Sequence, residues 1–404
     1  MIRKPSKSHN AYVGVGLRVL QTTKSEGGPM AITTVAEHKT EHLQVLSADG
    51  SFDASVAPTI SEEKLIEMYT VMTRIRVFDE RAIKLQRQGR LGTYPQILGQ
   101  EATQCVPALC LEPKDWIVPT YRGQGSYFAR GMQMRYSLMY WGGDDRGVNY
   151  PEENNDLIFS IPVGAHMTQA MGLAWGEKLK GTKNVAICWI GDGASSKGDF
   201  HEAMTFAGVH KLGLIMFIEN NGWAISLSRE QQCAAKSLAQ KGHGYGAHSI
   251  QVDGNDPYAV YKAVSEAVAR GRSGEGPTVI EAMTYRMSNH TTADDASRYR
   301  SNEEVEEWKA KDPLDRFRKH LLKTGVLDEA AVESIQKGAE DYVVGEVKAY
   351  EAFDKPNPLN MFANNAEKAP WHVIEQRAEL EEILKEKQVR QEIPELPAAE
   401  GRFP

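Results

Sequence analysis

The sequence predicts an α/β fold, a parallel sheet with helices on both faces, followed by a helical C-terminal extension. Two patterns carry this reading. Short apolar runs bounded by glycine or polar turns alternate with stretches of three- and four-residue apolar spacing, the order that parallel strands and crossover helices produce. Beyond about Asn302 the short runs stop, and charged helical stretches broken by Pro313, Pro356 and Pro358 take over.

The elements follow in order. The chain to Thr59 is polar and weakly patterned. Residues 1 to 25 carry Arg3, Lys4, Lys7, Arg18 and Lys24 and no acid, as a transit peptide would, while Met30 opens a second plausible start. We favour the start at Met30 and set residues 1–29 aside. Ser61, Glu62 and Glu63 read as a cap and acidic first turn, with Leu65, Met68, Tyr69, Met72 and Ile75 as the buried stripe. Gly92 and Gly99 bracket a loop before a second helix near Gln100. Strands are expected at Trp116–Val118, Val185–Ile190, Leu214–Ile218 and Val279–Ala282. Helices are expected at His166–Lys180, Asp199–His210, Pro257–Arg270 and Trp371–Gln388. The expected division is an extension over 1–59, a cofactor-binding domain over 60–301 and a helical extension with subunit contacts over 302–404.

Composition excludes several classes. With 41% hydrophobic and 25% charged residues the chain can form a core. A net charge of −7, from 47 basic and 54 acidic side chains, argues against nucleic acid as a general partner. No apolar run reaches the roughly 20 residues of a membrane helix. Cys105, Cys110, Cys188 and Cys233 have no CxxC spacing, so they read as reduced thiols rather than zinc or disulfide sites.

The chemistry concentrates between Val185 and Ser228. One strand runs into Gly191-Asp192-Gly193-Ala194, and the next into Glu219-Asn220-Asn221-Gly222-Trp223. In an open parallel sheet the carboxyl ends of strands form the ligand crevice. Asp192 offers a carboxylate oxygen, Asn221 an amide oxygen and the following loop a carbonyl, oxygen donors that suit Mg²⁺ bound together with a phosphate. Gly191 and Gly193 admit close backbone approach, and the next helix presents free N–H groups. Gly-Asp-Gly or Asn-Asn-Gly alone is more often a turn. Both together, each ending a strand and with Gly191 and Asn221 30 residues apart, are far more specific.

That spacing resembles the thiamine-diphosphate motif, and the chain resembles the α subunits of the decarboxylase component of 2-oxo acid dehydrogenase complexes. Further support comes from Gly89 to Tyr94 with Gly99 to Ala102, from Pro119-Thr120-Tyr121-Arg122, from Tyr140 to Asp144, and from Asn289 to Arg300. The resemblance implies a thiamine-diphosphate-binding fold and two cofactors, thiamine diphosphate and Mg²⁺. Asp192, Asn221 and the Trp223 carbonyl would hold the cation. Gly191, Gly193, Ala194, Tyr121 and Arg122 would meet the diphosphate. Ile161 and Val163 would touch the aminopyrimidine through backbone groups, and Tyr94 would line the substrate side. His290 would act beside the thiazolium, on a loop expected to order when cofactor binds.

The activity so implied is oxidative decarboxylation of a 2-oxo acid and acylation of a lipoyl group. Bacterial pyruvate dehydrogenase α subunits fit most closely, with branched-chain 2-oxo acid enzymes as the alternative. The implied partners are a β subunit, in an α₂β₂ heterotetramer, and a lipoyl-bearing acyltransferase. The resemblance implies that the glutamate that activates the cofactor comes from the β subunit; Glu101, a tempting substitute within this chain, reads as a first-turn acid suited to the helix dipole. The implied location is the bacterial cytoplasm, or the mitochondrial matrix if the leader is a transit peptide.

Departures from the family are visible. Glu219 stands where branched-chain relatives often carry an arginine. Ala165 and His166 replace the Thr and Gln of relatives with a potassium site, so that ion is not expected. Thr291 takes the position of a regulatory serine. A non-catalytic scaffold is the reading from another class, and it predicts no effect of Asp192→Ala. A nicotinamide site is weaker still, since Gly14-Val15-Gly16 ends its motif on Val19.

Overall fold

The computed structural model describes residues 33–354, 356–362 and 368–391. Residues 33–39 belong to a separate N-terminal unit and carry no helix or strand. The compact unit begins at Thr40. The leader and the start at Met30 lie outside the described residues.

Strand β1 (Glu41–Leu43) is followed by the long helix α1 (Glu62–Arg87), whose cap Ser61 accepts from the Lys64 amide at 3.3 Å. Next come α2 (Glu101–Leu109), β2 (Trp116–Val118), α3 (Gln124–Ala129), α4 (Met134–Trp141) and the short β3 (Asn155–Asp156). Then α5 (His166–Lys180) leads to β4 (Ala186–Gly191), and α6 (Gly198–Val209) leads to β5 (Leu214–Asn220). A hairpin, β6 (Trp223–Ala224) and β7 (Leu227–Ser228), precedes the short helices α7 (Arg229–Gln232) and α8 (Gln240–His243). Strand β8 (His248–Asp253), helix α9 (Pro257–Ser273) and strand β9 (Thr278–Met283) complete the sheet. Helix α9 starts on an Asp256 cap with Pro257 in its first turn. Helices α10 (Asn302–Lys309), α11 (Pro313–Thr324), α12 (Glu329–Glu351) and α13 (Trp371–Gln391) follow.

Seven strands form one parallel sheet in the order β1-β8-β9-β5-β4-β2-β3. The central strands are buried along nearly their whole length, which is why they read as continuous apolar runs. Their side chains still alternate between two cores. Ile187, Trp189, Ile215 and Phe217 pack with α1, α2 and α9, while Cys188, Ile190, Met216 and Ile218 pack with α5 and α6. From β2 the chain moves outward to β3, and from β4 it moves the other way to β5. The connections therefore diverge between β2 and β4, and their carboxyl ends open the crevice.

The structure extends the fold past two expected boundaries. Residues 40–59 are not an appendage. β1 pairs with β8, Val45 and Leu46 are buried, and the Asp256 carboxylate accepts both of their amides at 2.6 and 2.7 Å. Helix α12, beyond residue 302, packs on α1 and α4, with Glu346 paired to Arg135 at 2.6 Å. Strands β1 and β3 are too short to show a period. Strand β8 has an irregular burial pattern that hides it among polar residues.

Candidate active site

A cleft opens at the carboxyl ends of β2, β4, β5 and β9, and ten of the residues expected at the site line it. These are Tyr121, Arg122, Val163, Gly191, Asp192, Gly193, Ala194, Asn221, Trp223 and His290. Residues from five separate segments of chain thus converge, Val163 from the segment after β3, because β9, β5, β4, β2 and β3 are neighbours in the parallel sheet.

Asp192 sits at the turn between β4 and a short 3₁₀ turn. Its Oδ1 accepts the Gly193 amide at 2.9 Å, whereas its Oδ2 is buried with no hydrogen-bond partner. A bare buried carboxylate oxygen is costly. Burial pushes the Asp192 carboxyl up to about 6, against the pull of the Gly193 amide and the Arg286 charge. A side chain added at Gly191 would meet nothing within 4 Å, so space lies open beside the turn. At Gly193 the reason for glycine is crowding, because an added Cβ would lie 2.7 Å from that of Ala224. Among the described residues no three His, Cys, Asp or Glu side chains cluster to hold a metal.

Asn221 follows β5. Its amide nitrogen donates to Gln100 Oε1 at 3.0 Å, which leaves its oxygen as the acceptor on the cleft side, with only a 3.4 Å contact from the Trp223 amide. The Trp223 carbonyl accepts from Arg286 Nη1 at 3.3 Å, and a carbonyl's second lone pair is left for a cation. The orphaned Asp192 oxygen, the oriented Asn221 amide and the Trp223 carbonyl form a donor set that fits Mg²⁺. Glu219, at the cleft floor, accepts from Thr103 Oγ1 at 2.6 Å, and burial pushes it up to about 7.

His290 is gripped from two sides. Arg122 Nη2 lies 3.3 Å from its Nδ1 and 2.8 Å from its carbonyl, and Arg286 Nη1 lies 3.2 Å from the same Nδ1. Its amide donates to Asp294 at 2.7 Å, and Tyr299 donates to the same carboxylate oxygen. Burial, then Arg122 and Arg286, push the imidazole down to about 4, against the opposing pull of Asp294.

Two expected site residues lie elsewhere. Tyr94 is fully buried and is absent from the cleft wall, because its hydroxyl donates to Asp79 on α1 at 2.9 Å and accepts from Gln124 at 2.8 Å. Its backbone instead exchanges hydrogen bonds with Thr292, which ties it to the His290 loop. Ile161 is half exposed and outside the lining, although Ser160 and Val163 on either side belong to it. Glu101 opens α2, as the sequence suggests, and its carboxylate is bound to Arg76 at 2.5 Å.

Residues not singled out also line the cleft: Lys197, Gln232 and Arg286. Lys197 precedes the first turn of α6 directly after the Gly-Asp-Gly turn, a visible signal for an anion site. Arg286 lies three residues beyond β9, and nothing local marks it. His166 also lines the cleft, with its Nε2 at 2.7 Å from the Trp189 carbonyl.

The fold and cleft thus define a class: a parallel-sheet protein whose strand ends bring glycine turns, an orphaned carboxylate oxygen and oriented amide and carbonyl oxygens to one cleft. The sequence model of the family described as "Dehydrogenase E1 component" matches residues 69–359. A Staphylococcus epidermidis protein described as pyruvate dehydrogenase E1 component subunit alpha is 40% identical over 354 residues, covering 87% of this chain and 95% of the relative. A Staphylococcus aureus protein of the same description is 39% identical over the same span and shares. The chain belongs to the dehydrogenase E1 component family. No described helix is long and apolar enough to cross a membrane.

Proposed function

We propose that this chain is the α subunit of a pyruvate dehydrogenase decarboxylase component, binding thiamine diphosphate and Mg²⁺ and acting with a β subunit. It would decarboxylate pyruvate and pass the acetyl group to the lipoyl group of an acyltransferase. The observation that carries the proposal is the orphaned Asp192 oxygen beside the Asn221 amide, in a chain whose relatives carry that description. The bacterial source of those relatives supports a bacterial setting and gives no support to a mitochondrial one.

The residues divide the work. Asp192, Asn221 and the Trp223 carbonyl hold the cation. Arg122 and Lys197 supply positive charge to the diphosphate, while the Gly193 and Ala194 backbone lets it approach. The Val163 segment supports the aminopyrimidine side. Thiamine diphosphate, when bound, supplies the electron sink that lets a 2-oxo acid lose CO₂. The protein supplies position and fixed dipoles.

The cleft supports the reading that a partner subunit completes the site. Among the described residues its lining carboxyls are Asp192 and Glu219. The first is assigned to the cation and the second is tied to Thr103, so neither is free to activate the cofactor's aminopyrimidine. Helices α5 and α6, whose first turns border the cleft, expose Leu179 (76%), Val209 (75%) and Phe206 (44%). Gly172 and Gly176 on α5 leave open space above them. Exposed apolar side chains and small-residue recesses on helices that start at the cleft and run away from it suit the surface a β subunit would cover.

Relative turnover by the reconstituted α₂β₂ enzyme tests the reading. Pyruvate is expected to exceed 3-methyl-2-oxobutanoate by at least about tenfold, since each methylene is worth about 1–3 kcal/mol of discrimination. Preference for the branched acid would transfer the assignment to the branched-chain enzymes.

A further inference from the structure

We propose that Arg286 is a positioning residue that fixes His290 as the neutral tautomer protonated on Nε2, so that the ring offers the cleft a hydrogen-bond donor rather than a base. The proposal rests on the assignment of the cleft as the decarboxylation site.

The argument begins with what a guanidinium can do. It carries donors and no acceptor. Two guanidiniums converge on one imidazole nitrogen: Arg286 Nη1 at 3.2 Å and Arg122 Nη2 at 3.3 Å from His290 Nδ1. A nitrogen facing donors alone must supply a lone pair. Nδ1 is therefore unprotonated, and in a neutral ring the hydrogen sits on Nε2. Nε2 has no protein partner among the described residues, and His290 lines the cleft. Nε2 is the nitrogen left to meet a ligand.

Neither arginine can turn away easily. Arg122 is held by the Gln96 carbonyl at 2.7 Å and the His290 carbonyl at 2.8 Å. Arg286 is fully buried, with Nη2 on the Ile225 carbonyl at 2.7 Å and on the Tyr299 hydroxyl at 2.8 Å. The charged groups facing His290 are Arg122 from the loop after β2, Arg286 from the segment after β9, and Asp294 within its own loop. The carboxylate meets the His290 backbone amide, not the ring. Protonating Nδ1 would bring a third positive charge against the two arginines and remove their shared acceptor. The ring accordingly stays neutral at working pH, and the same direction follows from its burial.

A donor fixed in this way acts without changing its protonation state. It can hydrogen-bond an oxygen of the diphosphate or of the reacting substrate as negative charge develops there. Asp294 and Tyr299 help to orient it by fixing the backbone of the loop and the far side of Arg286.

The test uses the reconstituted α₂β₂ enzyme with thiamine diphosphate, Mg²⁺, pyruvate and an artificial electron acceptor. His290→Gln keeps a donor at the position of Nε2. It is expected to stay within about tenfold of wild-type kcat, whereas His290→Leu and the acceptor-only His290→Glu lose about 100- to 1,000-fold, the usual cost of removing one oriented donor. Arg286→Met frees the neutral ring to take the Nδ1–H tautomer, whereas the imidazolium always keeps its Nε2 donor, so kcat/KM is expected to fall as pH rises through the ordinary histidine value, and His290→Gln in the same chain should remove that limb. A purely structural role for Arg286 would lower activity evenly with pH. The proposal is overturned if the Gln variant is as inactive as the Leu variant. It is also overturned if the wild type already shows a limb near pH 6.5 that His290→Gln abolishes. A wild-type tetramer that released no CO₂ from pyruvate would instead contradict the assignment of the cleft.

Discussion

Asp79 and Asp192 are both buried carboxyls pushed upward by desolvation, to about 7 and about 6, yet they sit in regions built for different ends. Asp79, on α1, has every oxygen occupied. Its Oδ1 accepts the Tyr94 hydroxyl at 2.9 Å and the Ile97 amide at 2.8 Å, and its Oδ2 accepts the Leu98 amide at 3.1 Å. Asp192, at the end of β4, satisfies one oxygen and leaves the other bare. Completed hydrogen bonding marks a residue whose work ends with folding. A bare oxygen, beside open space at Gly191, marks one whose partner arrives from outside. Buried acids alone would not have told the loop organiser from the site.

That contrast can be broken in two places. The larger effect is expected at Asp192. Outer partners of a metal ligand typically cost 10- to 100-fold when removed. Asp192→Asn in the tetramer is therefore expected to lower pyruvate turnover by more than about 100-fold while leaving the melting temperature of the cofactor-free enzyme unchanged or higher, since a bare buried charge is gone. A variant that unfolds yet retains turnover per folded molecule would make Asp192 the structural residue of the two.

The smaller effect is expected at Asp79, and it should appear in stability. Asp79→Asn leaves one of the three donors without an acceptor, at about 1–3 kcal/mol. Its pH dependence has a definite sign. A carboxyl whose folded value is raised favours the folded state below the unfolded value, and that contribution is lost as pH rises through the folded one. For Asp79 the window runs from the ordinary value of 3.8 to about 7. The wild type should lose stability relative to Asp79→Asn across that window, so that the gap between their denaturation midpoints narrows on going from pH 4 to pH 7. A gap that widened would mean that Asp79 is held as a stabilised carboxylate.

The same two regions show what the sequence could and could not disclose. Gly191-Asp192-Gly193 and Asn220-Asn221-Gly222 were legible because each sits in the few residues after a buried strand, so local pattern and local geometry coincide. Helix α5 was legible to its last residue, and Trp116–Val118 to both ends. Tyr94 was misplaced because its direction is set by Asp79, fifteen residues upstream on another element. The pairing of β1 with β8 joins segments about 200 residues apart, and no periodicity in three residues announces it. Arg286 carries no local signal. Its grip on His290 depends on Arg122 from a distant loop, and convergence of that kind exists only in the folded chain. Lys197 could have been found, since a cation between a glycine-rich turn and a helix start is a local signal.

The most direct test of the account is calorimetric titration of thiamine diphosphate with Mg²⁺ into cofactor-free tetramers carrying wild-type or Asp192→Ala α subunits. The account predicts Mg²⁺-dependent binding to the wild type, and at least a 100-fold weaker Mg²⁺ dependence in the variant, whose fold is intact. Equal binding by both, with equal dependence on Mg²⁺, would contradict it.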